Sequence, residues 1–486
     1  MKRFLALALS LLMLFSLVAC SGNTAPAADA DNTQQTEATA PETPDNAEQP
    51  QESTETVTGE PKWLADDTSI SGTVRFWIPF KGEQGMNDLI AEFNQTYPNV
   101  TVELTPYSNN TDGNTAVNTS LMSGEIDVLW SFELHNTFKR WENGLYMDLT
   151  DYLAADNIDL TENWGTDSYT YDGKIYTLPA GGRSFYVAIN KTMWDEAGLG
   201  EIPTAWTWDE YLEACKAMTK TDDAGNVTVY GGSEYQAINS VMNTMYQVYG
   251  KNAMYHEDGT SSFDDPVIQK ALAREVQAEN VDHIWFPLTT YRSDNIQAQT
   301  TYLGKQVASC VNTNLVRFIR DTETYPVDFI TTFAPFPTEE AGQDNHMEGI
   351  STFSHVGIAA NCNMDNFDAI YAFLKYAATD GAKYLAMAGH MPTWTGTDVS
   401  NIVSLMFGSE EAAAKLIDVD AFKNVVCNFD GLTYVDTELT AYSEVNSLMQ
   451  EYVMYAHNDE LSVEDALSEL KVEADAVSYT HLTLPT

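Results

Sequence analysis

Residues 169–214 constrain the fold more than any other stretch. They read Tyr169-Thr-Tyr-Asp-Gly-Lys-Ile-Tyr-Thr-Leu-Pro179, then Ala-Gly-Gly-Arg-Ser-Phe-Tyr-Val-Ala-Ile-Asn190-Lys-Thr-Met-Trp-Asp-Glu-Ala-Gly198. After a turn at Pro203 comes Thr207-Trp-Asp-Glu210-Tyr-Leu-Glu-Ala214. Asp172-Gly173 supplies the positive-φ pair of a tight hairpin between aromatic-rich strands. Thr207 and Glu210 form a capping box, after which Trp208, Tyr211, Leu212 and Cys215 repeat at helical spacing. The stretch thus prescribes a hairpin, a strand that leaves it, and two helix starts in fixed order.

Upstream, Thr73 to Ile78 alternates as a first strand and ends at Pro79. Met86, Leu89, Ile90, Phe93 and Tyr97 mark a helix that stops before Pro98. Val100, Val102 and Leu104 form a second strand. A helix near Ala116 to Ser123 closes on Gly124, and Ile126 to Trp130 is the next strand. Further on come a helix started by Pro266, strands near Val307–Val311 and His355–Ala360, and a helix carrying Phe367, Ile370, Tyr371 and Leu374 on one face. Strands that alternate with helices predict right-handed crossovers and mainly parallel sheets, an α/β fold.

The order and spacing of the 169–214 stretch closely resemble the family-1 extracellular solute-binding proteins of sugar-type ABC importers, whose members include maltose-binding proteins. That family's hallmark runs DGKIYxLP, then Y/INKxxWDEAGL, then TWDEY. Ser123-Gly-Glu-Ile-Asp127-Val is similar to its SGxxPDV segment, with Ile126 in place of proline. Gly144 to Leu153 is similar to GxxxxLTDYL, and Leu303-Gly-Lys-Gln-Val-Ala-Ser resembles FxxGKxAM, with Val307 and Ser309 departing from it. The resemblance implies a two-lobed, hinged periplasmic-binding-protein-like fold of type II, each lobe a mainly parallel sheet flanked by helices. Mapped here, the amino lobe would span 70–185 plus 352–388 and the carboxyl lobe 186–351 plus 389–476.

Lys2 and Arg3 precede an apolar run from Phe4 that ends in Leu17-Val18-Ala19-Cys20. A basic start, a short apolar stretch and small residues read as a secretory signal over residues 1–20. The tetrapeptide looks like a bacterial lipobox, which would make Cys20 the lipidated first mature residue. The run falls short of the ~20 apolar residues a membrane span needs, so membrane attachment is expected through lipid alone, on the outer face. Residues 21–62 read as a disordered acidic tether. Up to residue 60 that stretch holds no Lys, Arg or aromatic side chain, and Val57 is its only large aliphatic one, too little to bury for order. As a flexible coil its ends would sit roughly 35 Å apart. The last ten residues, 477–486, drop the acidic helical pattern and are set aside as a non-native tail.

The formal net charge of −47, from 71 acidic and 24 basic residues, argues against nucleic acid and anionic membrane surfaces as partners. Cys215, Cys310, Cys362 and Cys427 lie in apolar elements with no Cys-x-x-Cys spacing and read as buried free thiols.

In open parallel sheets, ligands bind beyond the carboxyl ends of strands. That rule nominates the loop after the first strand (Pro79, Phe80, Lys81, Gly82, Glu83) and the one after Val128 (Trp130, Ser131, Phe132, Glu133); Trp77, near the end of the first strand, is a further candidate. Sugar recognition needs flat aromatic faces against C–H patches, with carboxylates, amides and Arg for hydroxyl pairs. Trp130, Phe132 and Glu133 supply that mix, although Trp130 ends an apolar strand and also fits a core position. Gly181-Gly182 permits a close approach or a hinge where the resemblance has the chain cross between lobes. Arg183 there is either a ligand anchor or an inter-lobe salt bridge. Glu234-Tyr235 resembles the Glu-aromatic site loop of maltose-binding members of the family, the alternative being a simple turn. The resemblance also nominates Asn312 and Trp394, the latter as a stacking platform. Ser354 and His355 either face the cleft or are structural. Trp206, Trp208 and Asp127 read as structural.

No His-Glu-x-x-His, Gly-x-Ser-x-Gly, phosphate loop or EF-hand loop occurs, and the eight His lack metal-ligand spacing. No catalytic residue, metal site or cofactor is expected. The chain reads as a monomeric, lipid-anchored binding protein that takes a small-molecule sugar, mono- or oligosaccharide, and delivers it to ABC permease subunits. Alternatives are the same role with a peptide, polyamine or other small solute, or a surface carbohydrate-acting enzyme.

Overall fold

The computed structural model describes residues 60–483 except 133, 166–169, 183–184, 236, 251, 257, 344–346, 349–353, 428–432 and 435–440. The signal, Cys20, nearly all of the tether, Glu133 and Arg183 therefore lie outside the described residues. Among the described residues no helix is long and apolar enough to cross a membrane.

Nine strands carry the two main sheets. They are β1 (Ser71–Ile78), β2 (Asn99–Pro106), β3 (Val128–Phe132), β4 (Leu178–Gly182), β5 (Tyr186–Asn190), β6 (Ser309–Asn312), β7 (Thr331–Pro335), β8 (Ser354–Ile358) and β9 (Met391–Pro392). The first sheet has the order β9-β4-β8-β3-β1-β2. β1 pairs in parallel with β2 and β3, while β8 runs antiparallel to β3 and β4. The alternation that marks β1 buries Val74, Phe76 and Ile78 completely. Helix Phe367–Ala378 packs Phe373 against Phe76, and helix Met86–Thr96 packs Phe93 against Phe373, within a single apolar core.

Asp127, read as structural, is structural. It receives Arg75 Nε at 2.8 Å and the backbone N–H groups of Arg75 and Asn363 at 2.9 Å each. Burial works against ionisation there, but the Arg75 guanidinium and those N–H groups outweigh it and hold the carboxyl below its usual range.

The second sheet is β6-β5-β7, antiparallel throughout. Period-two alternation divides its two faces. Tyr186, Ala188, Cys310 and Phe333 enter one core; Val187, Ile189, Val311 and Ala334 enter the other. A third core is mainly helical, built by Ala237–Tyr249, Pro266–Val276, Tyr442–His457 and Val463–Thr483 with Ala253, Met254 and Phe263 from the connecting turns. The last of these helices runs through Thr483, so the change of composition after Val477 does not end it.

Local predictions from the 169–214 stretch hold. Asp172 and Gly173 have φ of +51° and +71°, and Tyr171 pairs with Lys174. Thr207 N donates to Glu210 Oε2 at 2.7 Å, and Glu210 N donates to Thr207 Oγ1 at 3.3 Å. Cys215, Cys310 and Cys362 are buried free thiols and Cys427 is half-buried; burial pushes Cys215 and Cys427 up to about 12. One assignment shifts. Met391 and Pro392, which the expected division puts in the carboxyl lobe, pair with Gly182 and Gly181 in the first sheet.

Candidate functional site

Strand register brings one edge of the first sheet together. Phe132, the last residue of β3, pairs with Ser354, the first of β8; Ser354 pairs with Gly181, and Gly182 pairs with Met391. The end of β1 leads onto the same edge through Phe80. Three rings meet there. Phe132 stacks on His390 at 4.7 Å and 22°, and Phe80 packs edge-on against Phe132 at 5.2 Å and against His390 at 5.3 Å. Phe80 and His390 are buried and Phe132 is half-buried. Of the three only Phe132 stays partly accessible, an apolar ring of the kind that makes C–H contacts.

Register likewise fixes one edge of the second sheet. Tyr186 pairs with Asn312 on one side and Pro335 on the other, so Phe185, Asn312 and Pro335 share an edge. Only residues 183–184 separate that edge from Gly182. A cavity of about 140 Å³ opens on the β6 side, and its lining includes Phe185, Glu234, Tyr235, Gln297, Asn312 and Arg317. Glu234 is buried and bridged by its backbone to Val311. Tyr235 receives Gln297 Nε2 on its hydroxyl at 3.2 Å, and Arg292 lies 5.2 Å over its ring. Asn312 Oδ1 accepts the N–H groups of Thr313 and Asn314, both at 2.9 Å, which fixes the turn after β6. The Arg317 guanidinium covers the Phe318 ring at 4.5 Å, and burial lowers its proton affinity. Carboxylate, amide, hydroxyl and guanidinium thus converge around a ring, the group types that bind hydroxyl pairs.

Gly389 links the two edges. Its φ is +87°, and a Cβ placed there would lie 3.3 Å from Asn314 Cβ and 3.4 Å from Arg317 Cδ. The next residue, His390, is the one stacked on Phe132. On the β7 side of Phe185 a second cavity of about 790 Å³ opens, and among the described residues its lining includes none of those nominated from sequence.

The nominated residues divide accordingly. Phe80 and Phe132 come together on the first edge, and Glu234, Tyr235 and Asn312 on the second. Gly182 is buried in β4, where its backbone pairs with Met391. Lys81 and Glu83 are exposed beside Phe80 on the turn Gly82–Gln84, and Trp77 is half-buried against the first core.

Three nominations need correction. Trp130 is fully buried in the first core, the alternative its apolar strand allowed. Ser131 is also fully buried, with its hydroxyl held by Thr137 Oγ1 at 2.9 Å and Tyr146 at 3.2 Å. Trp394 packs edge-on against Trp63 at 5.5 Å, because β9 runs from its edge pairing at Met391 back toward Ala180, carrying Trp394 away. His390, not Trp394, is the ring stacked on Phe132. His355 is buried, and burial and the nearby Arg140 push it down to about 3, so it is neutral and structural. Sequence reasoning missed His390, Phe185, Gln297 and Arg317; a Gly-His-Met-Pro run entering a strand end was the available signal for the first.

Among the described residues no group of His, Cys, Asp and Glu could hold a metal ion. A family model described as bacterial extracellular solute-binding protein matches residues 80–384. Solved structures share the two-lobed fold. A sugar transporter from Rhizobium etli in an open conformation is 18% identical, with 84% of this chain and 100% of that one covered and a TM-score of 0.63. The maltose-bound MalE3 of T. maritima is 19% identical, with 83% and 99% covered and a TM-score of 0.62. An ABC transporter solute-binding protein of Thermotoga lettingae bound with α-D-tagatose is 18% identical, with 84% and 100% covered and a TM-score of 0.60.

Proposed function

The chain belongs to the bacterial extracellular solute-binding protein family, and from that premise we propose that it captures a carbohydrate by lobe closure and delivers it to the permease subunits of an ABC importer. One juxtaposition carries the proposal. The Phe80–Phe132–His390 surface of one sheet edge is brought beside the Glu234–Asn312–Arg317 pocket of the other through Gly182–Phe185 and Gly389. Aromatic face and hydroxyl-binding groups on opposite lobes give a sugar contacts it can make together only when the lobes approach, and such differential contact shifts the population toward the closed form. Related sugar-bound structures with the same fold support the substrate class.

The chain does no chemistry in this scheme. It remains a monomer held at the outer membrane face by a lipid on Cys20, and the acidic tether gives the lobes reach to the permease. ATP hydrolysis elsewhere in the transporter opens the closed form.

Titration calorimetry and thermal shift against mono- and oligosaccharides test the substrate class, since a ligand of the folded state raises the melting point. X-ray scattering of the same samples reports closure as a smaller radius of gyration. Binding of peptides or polyamines with silence toward every saccharide would replace the cargo and keep the transport role. Mass spectrometry of the membrane fraction tests Cys20, which should carry acyl chains that Cys20→Ala lacks.

A further inference from the structure

Among the described residues that line the smaller cavity, Arg317 and Glu234 carry the charge, and they are not ion-paired to each other. The Arg317 guanidinium has neither a hydrogen bond nor a carboxylate within ion-pair distance among the described residues, although its Nε is buried. A guanidinium carries five N–H donors, and leaving them unmatched away from water is unfavourable. Its position is nonetheless fixed. The Phe318 ring covers one face at 4.5 Å, and a Cβ on Gly389 would lie 3.4 Å from Cδ of its stem. Face and stem are held while the N–H edge stays open, a preorganised fork for a planar anion. We propose that Arg317 anchors a carboxylate on the cargo, so that the sugar captured is a uronic acid.

The neighbouring groups point the same way. Asn312 Oδ1 is committed to the N–H groups of Thr313 and Asn314, both at 2.9 Å, which leaves its NH₂ to donate. Arg292, 5.2 Å over the Tyr235 ring, adds a second cation beside the pocket, also without a carboxylate partner among the described residues. Glu234, the opposing charge, is only 4% exposed, whereas Arg317 is half-buried, so a ligand entering the cavity meets the guanidinium first. A carboxylate supplies acceptors only, and the donors of Arg317 and Asn312 match it. The hydroxymethyl group of a neutral sugar would leave the positive charge uncompensated. A phosphate, with a charge of about −1.5 to −2, would set excess negative charge against Glu234. The net charge of −47 does not oppose a single carboxylate, because exposed charges farther than ~8 Å are screened at physiological ionic strength.

This anchor presupposes the carbohydrate assignment above, and one series of titrations separates the two. Calorimetry on the full chain would use glucose, glucuronate and glucuronamide, the same triple in the galactose series, their disaccharides, and glucose 6-phosphate. The acid should bind about tenfold or more tightly than both the neutral sugar and the amide, which keeps the shape without the charge. In Arg317→Gln that ratio should fall to about one. In Arg317→Lys, which keeps the charge but loses the fork, it should be intermediate. Thermal unfolding without ligand checks that both variants fold, and the acid–amide comparison on the unmodified chain tests the anchor without either. Neutral sugars bound as tightly as acids, or an acid preference that survives Arg317→Gln, overturns the anchor while the carbohydrate assignment stands. Tighter binding of the phosphate than of the uronate overturns the carboxylate as the anchored group. Silence toward every saccharide, acidic or neutral, overturns both readings.

Discussion

Phe132 and His390 stack with ring centroids 4.7 Å apart and planes 22° from parallel. They belong to strand ends that never pair with each other, since β4 and β8 lie between β9 and β3. The contact exists because all four strands finish or begin at the same edge.

Phe132→Ala should weaken saccharide binding by about 1–3 kcal/mol and cost little stability, because the ring is only half-buried. Trp130→Ala should do the reverse, destabilising by about 3–5 kcal/mol through a core cavity while the folded fraction keeps its affinity. Calorimetry and urea titration on the two variants check the crossover. An affinity loss confined to Trp130→Ala would return that indole to the cleft.

Local chemistry was legible at the hairpin, the Thr207–Glu210 box and the β1 alternation because each depends on neighbours in sequence. Glu234, Tyr235 and Asn312 were nominated because each follows a strand and the resemblance supplied their neighbours. Trp394 misled because its direction depends on which way β9 pairs, and a two-residue strand carries no periodicity to announce that. Arg317 gave no local signal either: its place beside Glu234 and Asn312 arises only once the turn after β6 folds back. The separate helical core was hidden for a similar reason, since helices 237–249 and 442–457 meet only in space.

His457 in that helical core lies between two buried carboxylates. Nδ1 contacts Glu279 at 2.7 Å and Nε2 lies 3.8 Å from Glu275. Burial alone would lower its proton affinity, but the two carboxylates overcome this and raise it to about 9. A folded value above the unfolded ~6.5 gives stability that is complete below pH 6.5 and lost as pH rises through 9. The melting point should therefore fall between pH 7 and 9.5, and His457→Gln should melt lower at pH 6 with a flatter profile across that window. Parallel profiles for the two proteins would show that the imidazole is not the titrating group.

Lys375 presents a second buried charge, only 2% exposed, donating to Asp156 Oδ2 at 2.6 Å and to the Lys62 carbonyl at 2.9 Å. Burial lowers its proton affinity, with Asp156 opposing. Removing one partner strands the other, so Asp156→Ala should cost about 3–5 kcal/mol. Lys375→Met removes the buried charge itself and should cost distinctly less, as judged by urea midpoints at pH 7. Equal losses would mean that packing around the aliphatic stem, rather than the unpaired charge, sets the penalty.

Gly389 offers the sharpest separation of backbone strain from lobe contact. Gly198 has a comparable φ of +72° but nothing within 4 Å of an added Cβ, whereas Gly389, at +87°, would press on Asn314 and Arg317. Placing Ala at either site incurs the left-handed penalty of roughly 1–2 kcal/mol. Only Gly389→Ala also pushes the Arg317 side of the pocket away from the His390 ring. Both variants should therefore melt lower by similar amounts, while Gly389→Ala alone loses saccharide affinity and alone alters the ligand-induced change in radius of gyration. If Gly198→Ala loses affinity to the same extent, the close approach at Gly389 does not govern capture.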